Sequence, residues 1–86
     1  MVNHFSMAVY TILTFAAARE LVGERLTLDL PPELCTRDLR REILSAYPAL
    51  SELKNFAIAV NEAYALPDEP VRPGDEIVII PPVAGG

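Results

Sequence analysis

The residues of this sequence that could do chemistry stand together at its end, Pro81-Pro82-Val83-Ala84-Gly85-Gly86. A carboxylate behind two glycines has no side chain beside its carbonyl carbon. An attacking group therefore meets little bulk there, and a narrow channel in a partner can admit it. The double proline holds the base of the segment extended, and six residues at about 3.3 Å each reach roughly 20 Å. Val83 and Ala84 add modest apolar grip. A glycine pair alone is most often a frayed end. Placed directly behind two prolines and an apolar strand, it points instead to a reactive carboxylate, Gly86, on a tail (residues 81–86) inserted into another protein.

A free carboxylate is a poor electrophile and needs activation, for example as a mixed anhydride with a good leaving group. The chain has no means of doing this. It has no Gly-rich phosphate loop and no paired nucleophile and base, and its one histidine, His4, lies in what reads as a loose leader over residues 1–7. The expectation is a noncatalytic chain that binds no cofactor itself and relies on partners for activation. Cys35 is the single cysteine, so no internal disulfide forms; it lies far along the chain from the tail and reads as structural. Glu52, Glu62, Asp68, Glu69, Asp75 and Glu76 read as solubilising surface charge, not as a metal site.

Seven basic and twelve acidic residues among 86 give a net charge of −5, which repels phosphate backbones and excludes nucleic acid as a partner. No apolar run approaches the roughly 20 residues of a bilayer-spanning helix. With one cysteine and no secretory signal, a reducing, cytoplasmic setting is expected.

The elements that must position the tail follow from periodicity. Val9–Phe15 is rich in β-branched and aromatic residues and predicts a strand. Ala16–Val22 is built of helix formers and stopped by Gly23. Leu26, Leu28 and Leu30 alternate with polar residues, a strand ended by Pro31-Pro32 and a hairpin partner for the first. Thr36 is placed to cap a helix that buries Leu39, Ile43, Leu44 and Tyr47, turns Arg37, Arg40, Arg41 and Glu42 to water, and ends at Pro48. Phe56–Val60 predicts another strand, Asn61-Glu62 a turn, and Tyr64–Leu66 a short return strand. Pro73-Gly74 centres a turn before the most apolar strand, Glu76–Ile80. This order suits an α+β domain over residues 8–80, with one mixed sheet and a single main helix on one face. Its first and last strands are central and parallel, which is allowed because the long helix lies in the crossover between them.

Two segments carry a family resemblance: Phe15-Ala16-Ala17-Ala18-Arg19-Glu20-Leu21-Val22-Gly23, and Gly74-Asp75-Glu76-Ile77-Val78-Ile79-Ile80 running on into the tail. From about Val9 onward the chain resembles the MoaD/ThiS group of ubiquitin-like sulfur carriers, most closely its molybdopterin branch. The resemblance implies a ubiquitin-like β-grasp fold. It also implies that a MoeB-like E1 adenylating enzyme uses ATP and magnesium to activate Gly86, and that a sulfur donor protein converts the acyl adenylate to a thiocarboxylate. A MoaE-like large subunit, two copies with two small subunits in a heterotetramer, would receive the tail and build the dithiolene from cyclic pyranopterin monophosphate. Phe15, Tyr64 and Ile80 match positions where apolar side chains on the open sheet face dock partners. The residues themselves leave three alternatives open: a ThiS-like carrier for thiazole synthesis, a ubiquitin-like modifier, for which Lys54 is the only lysine available for self-linkage, and a plain binding module with an idle tail.

Overall fold

The computed structural model describes residues 7–82; the leader residues 1–6 and the tail residues Val83, Ala84, Gly85 and Gly86 lie outside the described residues. Strand β1 (Ala8–Thr14) is followed by helix α1 (Ala16–Val22), β2 (Arg25–Leu30), β3 (Leu34–Cys35), helix α2 (Thr36–Ala46), a 3-10 turn (Pro48–Glu52), β4 (Ala57–Val60), β5 (Ala63–Tyr64), β6 (Pro70–Val71) and β7 (Ile77–Ile80). The main sheet has the order β2-β1-β7-β4-β5, so the two strands expected at the centre are interior.

β1 and β2 form an antiparallel hairpin from Ala8↔Leu30 to Leu13↔Arg25. Gly23 makes the connection possible. Its φ of 93° suits a residue without Cβ, and its N–H closes α1 by donating to the Arg19 carbonyl at 2.8 Å. β1 and β7 pair in parallel, Ile12↔Ile77, Leu13↔Val78 and Thr14↔Ile79, with α2 in the crossover.

Alternation decides which face is core. Tyr10, Ile12, Leu26, Leu30, Ile58, Ile77 and Ile79 point inward and are buried with Leu39 and Ile43 of α2, Leu50 of the 3-10 turn, Phe56 and Val71. The Tyr10 ring is only 1% exposed, and its hydroxyl donates to the Pro31 carbonyl at 2.7 Å, which satisfies the one polar atom this core position brings in. Burial pushes its phenol above the ordinary value.

Three expectations are corrected. Thr36 does not cap α2; it is the first helical residue, and its amide (2.8 Å) and hydroxyl (2.9 Å) both donate to the Glu69 carbonyl beside β6. Arg40 does not face water. Its guanidinium lies 4.4 Å from the Phe56 ring centroid and donates to the Phe56 carbonyl at 2.5 Å, so its long arm covers core surface. The return strand is Ala63–Tyr64, and Leu66 is exposed beyond it. The small β3–β6 sheet, Leu34↔Val71 and Cys35↔Pro70, was not anticipated, because two residues per strand carry no readable period.

Ile79→Ala removes a fully buried side chain from the central strand and is expected to lower the unfolding free energy by about 2–5 kcal/mol in urea titration. Val9→Ala, at an exposed position of β1, should shift it by less than about 0.5 kcal/mol.

Candidate functional site

The alternation that buries Ile12, Ile77 and Ile79 turns Leu13, Val78 and Ile80 to the other face of the sheet. Register then lines up one residue from each strand across that face: Arg25 pairs with Leu13, Leu13 with Val78, Val78 with Ala59, and Ala59 with Tyr64. Both helices account for the inner core, and this row is left open.

Phe15 is delivered to the same face from the end of β1. It is extended, with φ −135° and ψ 161°, and the next residue, Ala16, takes φ 50°, so the chain turns sharply into α1 and leaves the Phe15 ring 55% exposed. Tyr64, 70% exposed, stands on the edge strand β5. Ile80 is half-buried at the end of β7. Phe15, Tyr64 and Ile80 thus come together with Leu13, Ala59 and Val78 around one open groove of about 400 Å³, with Glu62 and Glu76 on its rim.

The rim is held by a knot of hydrogen bonds. Asn61 and Glu62 both have positive φ, 51° and 71°, which makes the tight hairpin turn between β4 and β5 whose twist matches the strands. The Asn61 N–H donates to the Glu76 carbonyl (2.8 Å), and its side-chain oxygen accepts from the Glu76 N–H (2.9 Å). Its amide nitrogen donates to Asp75 Oδ1 (3.1 Å), while Asp75 Oδ2 accepts from the Arg72 N–H (2.9 Å). The Arg72 N–H, followed by the Asn61 amide, holds the Asp75 carboxyl below its usual range.

Pro81 and Pro82, the first two residues of the tail, follow β7 directly. Ile80 pairs with Ala57, Pro81 follows half-buried and Pro82 exposed, and neither continues the ladder, as expected where the backbone donor is missing. Val83, Ala84, Gly85 and Gly86 lie outside the described residues. Cys35 is half-buried in β3, with its Sγ donating to Asp38 Oδ2 at 3.3 Å. Among the described residues no three His, Cys, Asp or Glu side chains converge to hold a metal ion, and no helix is long and apolar enough to cross a membrane.

Leu13, Ala59, Val78, Glu62 and Glu76 were not singled out from the sequence as part of this face. The signal for Leu13 and Val78 was the same period-two alternation that marked the core, read for its other phase. Ala59 and the two glutamates needed the cross-strand register.

A five-stranded mixed sheet curled over one long helix, with parallel first and last strands, defines a ubiquitin-like β-grasp domain. The model of the ThiS family matches residues 12–86. The molybdopterin synthase sulfur carrier subunit of Chlamydomonas reinhardtii is 40% identical over 79 residues, covering 87% of this chain and 95% of that protein. The chain belongs to the ThiS/MoaD family. Among solved structures, SAMP1 from Haloferax volcanii superposes with a TM-score of 0.78 over 92% of this chain and 100% of that one, at 24% identity, a likeness of fold alone. A chain from the complex of subunits 1 and 2 of the molybdopterin-converting factor of Helicobacter pylori matches with a TM-score of 0.63 and 26% identity, covering 91% of this chain and 99% of that one.

The Asp75 carboxylate has a folded-state pKa below its unfolded one. Its stabilisation is therefore complete above about pH 4 and is lost as pH falls through the folded value. Asp75→Asn is expected to lower the urea midpoint at pH 7, with the gap from wild type closing below about pH 4. A gap that stays constant across that range would show that the charge on Asp75 does not hold the knot.

Proposed function

We propose that this chain is the sulfur-carrier small subunit of a molybdopterin synthase. The observation that carries the reading is the Pro81-Pro82-Val83-Ala84-Gly85-Gly86 sequence that follows interior strand β7, whose last residue Ile80 lines an open apolar groove, in a chain whose relatives are named sulfur carrier subunits.

In this reading the Gly86 carboxylate oxygen attacks the α-phosphorus of ATP in a MoeB-like enzyme that supplies the magnesium, and pyrophosphate leaves. A sulfur donor protein then supplies sulfide-level sulfur that attacks the acyl carbon, the bond to AMP breaks, and Gly86 carries a thiocarboxylate. Pro81, Pro82, Val83, Ala84 and Gly85 form the thin stalk that carries the terminal group into the pocket of a MoaE-like large subunit. There the sulfur passes to cyclic pyranopterin monophosphate. The dithiolene needs two sulfurs, so two charged carriers are consumed per product; a heterotetramer of two small and two large subunits suits that demand. The chain itself is noncatalytic, holds no cofactor and works in the cytoplasm. Phe15, Tyr64 and Ile80 dock the partner, burying the groove that the isolated domain leaves in water.

The test begins with peptide mass spectrometry after incubation with ATP, magnesium, the E1-like enzyme and a sulfur donor. Trypsin releases Asn55–Gly86 intact because Arg72 precedes Pro73, and this peptide has neither Cys nor Met, so methionine oxidation cannot mimic the change. Exchange of one oxygen for one sulfur at Gly86 is expected only with ATP, and not in a chain lacking Gly86; an unchanged terminus rejects the reading. Copurification with a thiazole synthase instead of a MoaE-type subunit would move the chain to the thiazole branch. Phe15→Ala is expected to weaken large-subunit binding by about 10-fold or more, measured by calorimetry, while the urea midpoint stays near wild type because the ring is largely exposed.

A further inference from the structure

The two edges of the main sheet are finished differently. At one edge β5 has two residues, a length that offers little to pair with. At the other, β2 runs for six residues, Arg25–Leu30, in unbroken register with β1, with no bulge to twist its free side away. One hydrogen bond tells which backbone groups that free side presents. The Thr14 N–H donates to the Glu24 carbonyl at 3.1 Å, and these two residues continue the β1–β2 register beyond Leu13↔Arg25. Bonded and non-bonded pairs alternate along an antiparallel ladder, so Leu26, Leu28 and Leu30 spend their N–H and C=O groups on β1. Those of Arg25, Thr27 and Asp29 point outward, and among the described residues no other strand takes them up. The side chains of the same three residues are exposed.

This edge is complementary to itself. Arg25 and Asp29 carry opposite charges and stand symmetrically about Thr27. Among the described residues neither makes an ion pair, whereas Arg19, Arg37 and Arg41 are matched with Glu24, Asp68 and Asp38. A second β2 laid antiparallel along the first, with Thr27 opposite Thr27, sets each Arg25 against the other copy's Asp29. The outward groups of these three residues then meet as bonded pairs, each exchanging two N–H···O bonds. On the inner side of the sheet the same register sets Leu28, half-buried at the margin of the core, against Leu26 in the closer, non-bonded type of pair. A register shifted by two residues one way puts Arg25 against Thr27 and Asp29 against Gly23. Shifted the other way, it puts Thr27 against Asp29 and Arg25 against Pro31, which has no N–H to give. Only the register centred on Thr27 satisfies the charges and the backbone together.

We infer that β2 pairs with β2 of a second copy of this chain, antiparallel and centred on Thr27, joining the two five-stranded sheets edge to edge with Arg25 of each chain on Asp29 of the other. The contact is isologous, about a two-fold axis perpendicular to the sheet, so each pairing off the axis is made twice. That axis keeps both α2 helices on one side of the joined sheet and both open grooves on the other. The pairing uses neither the groove nor β7, so it is independent of the sulfur-carrier reading and is measured with no other protein present.

One strand pairing is a small contact, in the size class of weak complexes. Sedimentation equilibrium of the full chain is therefore expected to show monomer giving way to dimer between about 10 μM and 1 mM. Arg25→Glu and Asp29→Arg each set like charges across both ends of the seam and should weaken dimerisation about 10-fold or more. An equimolar mixture of these two variants restores opposite charges at both ends, so native mass spectrometry should show a mixed dimer at concentrations where neither variant pairs with itself. Thr27→Pro removes an outward N–H that no bond within the chain uses, at an edge position where proline is tolerated, and should abolish the dimer while the urea midpoint stays near wild type. Circular dichroism establishes that each variant is folded. A wild-type chain that remains monomeric to about 1 mM overturns the inference, as does a dimer that folded Thr27→Pro or Arg25→Glu leaves at full strength, or a mixture that yields no mixed dimer.

Discussion

The rest of this domain depends on three parallel rungs, Ile12↔Ile77, Leu13↔Val78 and Thr14↔Ile79, which join the first strand of the sheet to the last. Parallel neighbours cannot be linked by a tight turn. The long path between them, occupied by α2 and the 3-10 turn, is what places a helix over one face and leaves the other bare. The same rungs set Phe15, at the end of β1, beside Ile80, at the end of β7. The base of the tail and the exposed aromatic ring are neighbours because two distant strands run in the same direction.

One register therefore serves two purposes. Odd and even positions of β1 and β7 are divided between a buried core and an open row, and a slip of one residue would exchange them. Ile79 and Ile80 show the division at adjacent positions, the first in the core and the second on the groove. The core set is satisfied within the chain. The open set, with Tyr64 and Phe15, gains from burial only by meeting another surface.

The Asn61–Asp75–Arg72 knot does for the rim what the parallel rungs do for the centre. β5 has two residues and little cross-strand pairing to hold it. Asn61 ties the turn before β5 to both backbone groups of Glu76 and to Asp75, so Tyr64 and the two glutamates keep a fixed relation to β7. Arg40 and Thr36 act similarly beneath the sheet, where polar groups expected at the surface or at a cap instead bind the Phe56 and Glu69 carbonyls.

Much of this was determined by the sequence alone. Strong periodicity in Val9–Phe15, Leu26–Leu30 and Glu76–Ile80, and the three- and four-residue spacing of Leu39 and Ile43, specified the main strands, the long helix and the mixed sheet, because burial of an apolar face is a local pattern in the chain. The character of the tail was also legible, since prolines and glycines constrain the backbone wherever they stand. The tertiary structure alone decided what depends on register between distant segments. It gathered Leu13, Val78, Ala59, Tyr64 and Phe15 into one groove and set Glu62 and Glu76 on its rim, with Arg25 at the other end of the row. It also created the β3–β6 pair and seated Arg40 on Phe56. These contacts join residues up to tens of positions apart, and their partners are chosen by packing after the strands have aligned, not by any period that the chain carries within a single segment.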